Sequence, residues 1–164
     1  MARRKLWSQE VLDELDSRFT VDLKTGVVYR DGKVMKFHIR NGYPAFHVGK
    51  RQVQVHQVVW YFKTGKQPEG LLDHKDGNPL NNAGENIREA TDQQNNFNAS
   101  KQSNNTSGFK GVTWNKQKQK WRTQIQFDGH NMHVGYFTNL DDAVAAYDQK
   151  ARELHGDFAR VNVV

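Results

Sequence analysis

The sequence predicts an α+β protein composed of two small modules. From residue 19 onward, turn dipeptides such as Asp31-Gly32 interrupt runs rich in β-branched and aromatic residues, which is typical of successive β-hairpins. Nearer the carboxyl terminus, large side chains alternate with polar ones along residues 121–127, and apolar residues recur every three or four positions along residues 139–156. We therefore expect a small three-stranded antiparallel sheet packed on one helix.

The amino-terminal half combines short helices with hairpins. Ser8 can cap the first helix, and Gly65 can end the second. Two β-hairpins lie between these helices, and a strand, a loop rich in turn residues, a second strand and a third helix follow them. The predicted elements are a helix over 8–17, hairpins over 19–37 and 41–56, a helix over 55–64, strands over 70–74 and 86–91, and a helix over 92–100.

A polar segment over residues 99–106 separates the two modules. It contains serine, asparagine and lysine but no large apolar residue, which is typical of a linker. We therefore expect an amino-terminal domain over residues 1–98 and a carboxy-terminal domain over residues 107–164. The second domain holds predicted strands over 110–115, 120–129 and 131–137 and a helix over 139–156.

The chain carries a formal net charge of +6, and its basic residues are concentrated in two runs. Nine lysines and arginines lie between Leu23 and Gln67, with Asp31 as the single acid, and residues 93–127 contain six basic residues and no acid. Such runs can be solvated faces, but the lack of acids favours binding to a phosphate backbone. We therefore expect a nucleic acid as the partner.

Composition also excludes several kinds of site. The chain has no cysteine, so disulfides and thiolate zinc sites are excluded. No apolar stretch reaches the length of a signal-peptide core or a transmembrane helix. We expect a protein of the cytoplasm with no membrane partner.

Residues 73–82, DHKDGNPLNN, place an ionisable pair directly before a turn. Glycine, proline and asparagine supply the backbone angles and local hydrogen bonds that such a loop needs. Asp73 and His74 are not needed for the turn, so they indicate chemistry. The alternative is a turn rich in asparagine and aspartate with an incidental histidine.

The segment over residues 55–98 resembles the HNH nuclease family, whose fold is the ββα-metal finger. Its motifs VH, DHKDGNPLNN, ENIREAT and QQNNFN occur in the family's order, with twelve residues from His74 to Asn86 and nine from Asn86 to Asn95. The resemblance implies an HNH core over about 55–98, preceded by the amino-terminal hairpins.

The resemblance also implies a role for each motif residue. His74 would be the general base that activates water, and Asp73 and Asn95 would be oxygen ligands of one Mg²⁺ or Mn²⁺ ion. Asn86 would hold the loop, and with it His74, in place. Phosphodiester hydrolysis needs this combination of a base, a Lewis acid and a frame that aligns them.

Two features of the HNH segment stay open. Many family members end the motif with a second histidine, where this chain has Asn95, Asn96 and Asn98. The spacing favours Asn95 as the second metal ligand, and the other two remain alternatives. His56 of the VH motif either supports the site or is a packed histidine bonded to a backbone group.

Residues 107–162 resemble the DNA-binding domain of plant ethylene-response transcription factors of the Apetala type, which also occurs attached to HNH nucleases. The motifs are SGFKGVTWNKQKQKWRTQI, HVGYF, DDAVAAYDQKARELHG and FARVN. Domains of this family lay a three-stranded sheet in the DNA major groove. The resemblance places on or near DNA the residues Lys110, Gly111, Thr113, Lys120, Arg122, Gln124, Gln126, Asn131 and His133.

This module departs from its plant relatives on the face that would read DNA. Those relatives carry several arginines and a tryptophan, where this chain has Thr113, Gln126 and His133. A sequence preference therefore cannot be transferred, and a solvated sheet face is the alternative. Trp114 can be a core residue or a DNA contact. We expect deletion of residues 107–164 to leave the metal centre folded and to weaken DNA binding.

Together these features predict a metal-dependent DNA endonuclease, similar to free-standing homing endonucleases of phages and mobile introns. It would nick or cleave double-stranded DNA, in the bacterial host cytoplasm if a phage encodes it. One HNH centre per chain makes nicking the simpler expectation. The sequence does not define the oligomeric state, and a monomer is slightly favoured. A catalytically inactive DNA-binding regulator is the main alternative, and an RNA-binding module is a third.

Overall fold

The computed structural model describes residues 6–99 and 105–162, which belong to two compact units. The first unit ends at Thr91 and the second begins at Asp92. Both combine helices with small antiparallel sheets, which confirms the predicted α+β class. Residues 100–104, most of the predicted linker, lie outside the described residues, so a linker over 99–106 stays a prediction.

The first unit contains two helices and three small sheets. In chain order its elements are α1 (Gln9–Arg18), β1 (Phe19–Asp22), β2 (Val27–Arg30), β3 (Lys33–Val34), β4 (His38–Arg40), β5 (Tyr43–Val48), β6 (Arg51–Gln54), α2 (Val55–Thr64), β7 (Leu71–His74), a 3-10 turn (Gly84–Asn86) and β8 (Ile87–Ala90). The sheets have the strand orders β1-β2-β3, β4-β5-β6 and β7-β8. Each predicted hairpin is therefore extended by a third strand.

The core of the first unit fixes the β7–β8 pair in place. Helices α1 and α2 contribute Leu15, Val58 and Val59, which are fully buried. Leu72 of β7 and Ile87 of β8 belong to the same apolar cluster. Burial of one such side chain stabilises the fold by roughly 1.5–3 kcal/mol. Leu72 lies within two residues of Asp73 and His74, and Ile87 is paired with His74, so both strands are firmly anchored beside these two residues.

The second unit begins with a short helix and continues with a sheet and a long helix. Its elements are α3 (Asp92–Asn98), β9 (Val112–Asn115), β10 (Lys120–Phe127), β11 (His130–Phe137), α4 (Leu140–His155) and a 3-10 turn (Gly156–Phe158). The sheet has the order β11-β10-β9, and all its pairs are antiparallel. The predicted three-stranded sheet with one helix is confirmed. Across residues 6–99 and 105–162, no helix has the length and apolar character needed to cross a membrane.

One face of this sheet packs on α4. Thr123 and Ile125 of β10 are buried beside Tyr147 of α4, as the alternation along β10 predicts. The Thr123 hydroxyl donates a hydrogen bond of 2.9 Å to the Ala143 carbonyl and so ties the sheet to the helix. Asn139 caps α4, because its side chain accepts a hydrogen bond of 2.8 Å from the Asp141 amide.

Gly111 precedes β9 in a position that requires glycine. Its φ of +75° lies in the left-handed region, and a Cβ there would be 2.1 Å from Cε2 of Tyr147. The Gly111 carbonyl accepts a hydrogen bond of 2.9 Å from the Gln124 amide, so the backbone cannot withdraw without loss of that bond. The glycine therefore allows close packing of the chain on α4.

We predict that Gly111→Ala destabilises the second unit by about 2–5 kcal/mol, because backbone strain and a clash with Tyr147 add together. Urea unfolding followed by circular dichroism measures the change. The matched control is Gly129→Ala, because Gly129 has a similar φ of +76° but no atom within 4 Å of a built Cβ. Equal losses in the two variants would contradict the packing role.

Candidate active site

The antiparallel pair β7–β8 ends at the two residues that the sequence singles out. Asp73 lies opposite Arg88, and His74 lies opposite Ile87. The side chains of Asp73 and His74 are only 6% and 5% exposed. A buried acid and a buried histidine at one strand end are unusual in a purely structural loop, so this strand end is the candidate active site.

Arg88 fixes the carboxylate of Asp73. Its Nη2 and Nε atoms lie 2.8 and 2.9 Å from Oδ2 of Asp73, which makes a short, charge-assisted contact between the partly buried Arg88 and the buried Asp73. Sequence reasoning missed Arg88. The signal was present, however, because pairing the strands LLDH and IREA places Arg88 directly across from Asp73.

Asn86 holds the loop between β7 and β8. Its side-chain amide donates to Oδ1 of Asp76 at 3.0 Å and to the carbonyl of Asn81 at 2.8 Å. Its side-chain oxygen accepts a hydrogen bond of 3.1 Å from the Asp76 amide. The loop-holding part of the role expected for Asn86 therefore matches its contacts.

Asp76 is the charged centre of this loop. Burial would raise the pKa of Asp76, but hydrogen bonds from the Asn78 amide and from the side chains of Asn81 and Asn86 outweigh burial, and the pKa lies below its ordinary value. A carboxyl group with a lowered pKa stabilises the folded loop at neutral pH, and this contribution is lost as the pH falls through the lowered pKa.

Asn82 contacts the predicted general base directly. Its Oδ1 lies 3.2 Å from Nε2 of His74, and its Nδ2 donates to the carbonyl of Leu80 at 3.1 Å. The backbone contact orients the amide, so the oxygen faces the imidazole and Nε2–H of His74 donates to it. In neutral His74 the lone pair then lies on Nδ1. Asn82 was missed from the sequence, because nothing distinguishes it there from the other loop asparagines.

Two aromatic side chains pack against the ring of His74. The His56 ring lies edge-on at a centroid distance of 5.2 Å, and the Tyr43 ring lies at 6.0 Å. The rings of Tyr43 and His56 are also 5.2 Å apart. His56, at the start of α2, is therefore a buried neighbour of the predicted base, and Tyr43 of β5 completes the cluster.

The candidate second metal ligands all lie on α3 in the second unit. Asn95 and Asn96 are exposed, and Asn98 is buried. Within residues 6–99 and 105–162, no group of three or more histidines, cysteines or acids could hold a metal ion. Carboxylate and amide oxygens of the type that Asp73 and Asn95 offer are donors that Mg²⁺ and Mn²⁺ accept. The donor chemistry therefore fits a hard divalent cation.

Comparison with known proteins identifies the family segment in which this strand pair lies. The sequence profile of the HNH endonuclease family matches residues 53–97, which include β7, the loop, β8 and most of α3. Protein 3.8 of Escherichia phage T7 is 38% identical over 123 residues, which cover 74% of this chain and 98% of the phage protein. Residues 53–97 therefore form an HNH endonuclease family domain.

Two further relatives of this HNH chain carry informative names. An uncharacterized HNH endonuclease, L560, of Acanthamoeba polyphaga mimivirus is 33% identical over 128 residues, which cover 76% of this chain and 65% of that protein. The second is a chain from a solved structure of DNA binding and cleavage by the HNH homing endonuclease I-HmuI, which is 35% identical in sequence to this chain. The match covers 46% of this chain and 47% of the I-HmuI chain, with a TM-score of 0.38. The chain thus spans slightly less than two thirds of the mimivirus protein.

The second unit of this HNH protein gathers most of the predicted DNA-binding residues on one face of its sheet. Strand pairing sets Thr113 opposite Arg122 and Asn115 opposite Lys120. It also sets Gln124 opposite His133 and Gln126 opposite Asn131. Because opposed residues share a face, the predicted DNA face consists of Thr113, Lys120, Arg122, Gln124, Gln126, Asn131 and His133.

Two residues not expected from the sequence join the predicted DNA face. Tyr136 lies opposite Arg122, and its ring is 4.6 Å from the ring of His133. The ammonium of Lys118 lies 4.1 Å from the centre of the Tyr136 ring. A break in register between Thr123 and Gln124 brings Tyr136 to this face, and alternation alone could not predict it.

Lys110, Gly111 and Trp114 have other surroundings in this HNH protein. The Lys110 ammonium donates hydrogen bonds of 2.6 Å to the carbonyls of Phe97 and Ala99, and burial, with a smaller effect of Arg160, lowers the pKa of Lys110 to about 8. Gly111 packs on α4, as described above. Trp114 lies opposite Trp121, with ring centroids 5.0 Å apart, so its ring packs on a partly buried neighbour.

We predict that Asn82→Ala removes the fixed tautomer of His74. In the parent protein, neutral His74 should carry its proton on Nε2, whereas in the variant both neutral tautomers should be populated. Long-range proton–nitrogen NMR of the imidazole ring in metal-free protein distinguishes the two forms.

The matched control for Asn82→Ala is Asn81→Ala. The Asn81 side chain belongs to the same loop, but its amide donates to Oδ2 of Asp76, at 2.7 Å. An unchanged tautomer population in Asn82→Ala, or an equal change in both variants, would contradict the orienting role.

Proposed function

We propose that this protein is a metal-dependent DNA endonuclease of the homing type that hydrolyses phosphodiester bonds in double-stranded DNA. The observation that carries the proposal is the buried Asp73–His74 pair at the end of β7, within the segment that matches the HNH endonuclease family. The named HNH relatives support the same activity.

His74 acts as the general base in this proposal. Since Asn82 accepts the Nε2–H hydrogen bond at 3.2 Å, the lone pair on Nδ1 takes up the proton of the attacking water. The imidazolium that forms keeps its hydrogen bond to the amide oxygen of Asn82, which stabilises the new positive charge. The Tyr43 and His56 rings restrict rotation of the imidazole, so the base meets the water in one orientation.

Asp73 and Asn95 would hold the divalent cation, Mg²⁺ or Mn²⁺, with Asn96 and Asn98 as alternatives to Asn95. When bound, this ion supplies a Lewis acid that neutralises charge on the phosphate and the leaving oxygen. Arg88 orients the carboxylate of Asp73 through its contact of 2.8 Å with Oδ2. A ligand set of one carboxylate and one amide binds its ion weakly until DNA phosphate adds further oxygen donors.

A polar row on the sheet β4-β5-β6 provides a surface for the DNA backbone near His74. The row consists of His38, Arg40, His47 and Gln52. The Arg40 guanidinium and the His38 ring both contact the Gln52 side chain, and His38 stacks on His47 with ring centroids 5.8 Å apart. Strand pairing puts Tyr43 on the same face, so the row leads to the aromatic cluster around His74. Mutually fixed donors of this kind suit contacts to phosphate oxygens.

The second unit anchors the enzyme to its target through the predicted DNA face. Glutamine, asparagine, histidine and arginine side chains on a three-stranded sheet can bond to base edges in the major groove. The relatives from a bacteriophage and from a giant virus support a virus-encoded enzyme, which we place in the host cytoplasm and expect to act as a monomer that nicks.

We predict that the purified protein nicks or cleaves plasmid DNA with Mg²⁺ or Mn²⁺ and stops when a chelator is added. His74→Ala should lower the cleavage rate by about 10²-fold or more, because the general base is lost. The control is His130→Ala, which removes an exposed histidine outside the site. Full activity of His74→Ala would refute the mechanism, and DNA binding without any cleavage would favour the inactive regulator.

We also predict that Arg122→Ala weakens DNA binding by about 1–3 kcal/mol if the guanidinium bonds to a base edge. If the guanidinium contacts a phosphate instead, the slope of log binding constant against log salt concentration should fall in magnitude by about one. Fluorescence anisotropy over a range of salt concentrations separates these outcomes. Arg152→Ala on α4 is the charge-matched control, because Arg152 is exposed away from the sheet. Equal effects of the two variants would remove the DNA face from the proposal.

A further inference from the structure

We propose that the carboxy-terminal module, residues 107–164, takes part in cleavage by holding helix α3 in position, and that Lys110 and His155 are positioning residues for this helix. The inference rests on the proposed function, because Asn95 on α3 is the proposed metal ligand. It goes beyond a targeting role, in which the carboxy-terminal module would contribute only affinity for DNA.

Helix α3 cannot hold its own position. It has seven residues, and in its sequence, DQQNNFN, Phe97 is the single large apolar side chain. A helix of this length is unstable in water unless tertiary contacts support it. The place of Asn95 therefore depends on whatever binds Phe97 and the end of the helix.

Lys110 binds the carboxyl-terminal end of α3. Its ammonium lies 2.6 Å from the carbonyl oxygen of Phe97 and 2.6 Å from that of Ala99. The last carbonyls of a helix have no partner within the helix and carry partial negative charge, so a cation there both bonds to them and matches the helix dipole. Lys110 thus serves as a cap supplied by the carboxy-terminal module.

His155 and Phe127 bind the side chain of α3. The Phe97 ring is stacked on the His155 ring at a centroid distance of 3.8 Å and an angle of 6°, and it lies 6.1 Å from the ring of Phe127. The His155 ring is itself fixed, because its Nε2–H donates a hydrogen bond of 2.9 Å to the carbonyl of Gln126. The Phe97 side chain is therefore packed between His155 at the end of α4 and Phe127 at the end of β10.

These supports lie outside the segment that matches the HNH family. The match ends at residue 97, whereas Lys110, Phe127 and His155 belong to the following module. The chain passes from Ala90, the last residue of β8, to Asp92, the first of α3, through Thr91 alone. We therefore expect the metal ligand on α3 to require the second module, in contrast to the sequence-based expectation that the metal centre survives deletion of residues 107–164.

The test uses Lys110→Met in the full chain, because methionine keeps an unbranched stem but removes the ammonium. Two quantities are measured: the single-turnover cleavage rate at saturating DNA with Mg²⁺, and the Kd for DNA in a chelator. We expect the rate to fall about tenfold or more while the Kd stays within about threefold. The charge-matched control is Lys150→Met on α4, where the lysine pairs with exposed Glu153.

A weaker Kd with an unchanged saturating rate would overturn the proposal and make Lys110 the DNA contact that the family resemblance implies. Unchanged rate and Kd would also overturn it. Phe97→Ala should repeat the loss of rate, and Phe97→Leu should restore part of it, because leucine keeps apolar contact with His155.

Amide hydrogen exchange of residues 92–99 gives a readout that does not need activity. Exchange should be faster in Lys110→Met and Phe97→Ala than in the parent protein and in Lys150→Met. A loss of rate without faster exchange in α3 would overturn the proposal. If the parent protein cleaves no DNA with any divalent cation, the proposed function fails. The stabilisation of α3 by Lys110 and His155 is refuted separately, by amide exchange in α3 that is the same in the variants as in the parent protein.

Discussion

The candidate site depends on the antiparallel pairing of β7 with β8. Leu72 and Ile87 anchor the two strands in the core of the first unit, and the register then places Arg88 across from Asp73. Because side chains within two residues of a buried anchor have little freedom, a buried acid and a buried histidine can be held with their partners already in place. The chemistry proposed for this strand end therefore uses the rigidity of the core, as sites built on regular elements do.

Neutral amides provide most of the orientation around this site. Asn86 joins the two ends of the loop, and Asn82 sets the proton on one nitrogen of His74. An amide fixes geometry through both a donor and an acceptor, yet it adds no charge that would compete with Asp73 for a cation or oppose the approach of DNA phosphate. The Asp76 carboxylate in this loop accepts hydrogen bonds from the Asn78 backbone amide and from the side-chain amides of Asn81 and Asn86. Its charge therefore stabilises the loop.

The parts of the fold and the site that could be predicted are those with a local signal. Alternation along β10 predicts which side chains reach the core, and the Asp73–His74 pair stands out because a turn does not need it. Register, packing and side-chain orientation have no such signal. Asn82 looks like its neighbours in sequence, Tyr136 joins the DNA face only through a break in pairing, and carry-over by family position cannot reveal that Lys110 caps α3 or that Gly111 is required by Tyr147.

Helix α3 shows why sequence modules and packing units need not coincide. By motif, α3 completes the HNH segment, whereas by contacts it belongs to the unit that begins at Asp92. The physical reason is its composition: six of its seven residues are polar, so one phenylalanine and its terminal carbonyls decide where it docks. The strongest partners available to those groups, a cation and stacked rings, come from the carboxy-terminal module. A helix with so little apolar surface depends on its neighbours for its place, since neither its sequence nor its own hydrogen bonds can fix it.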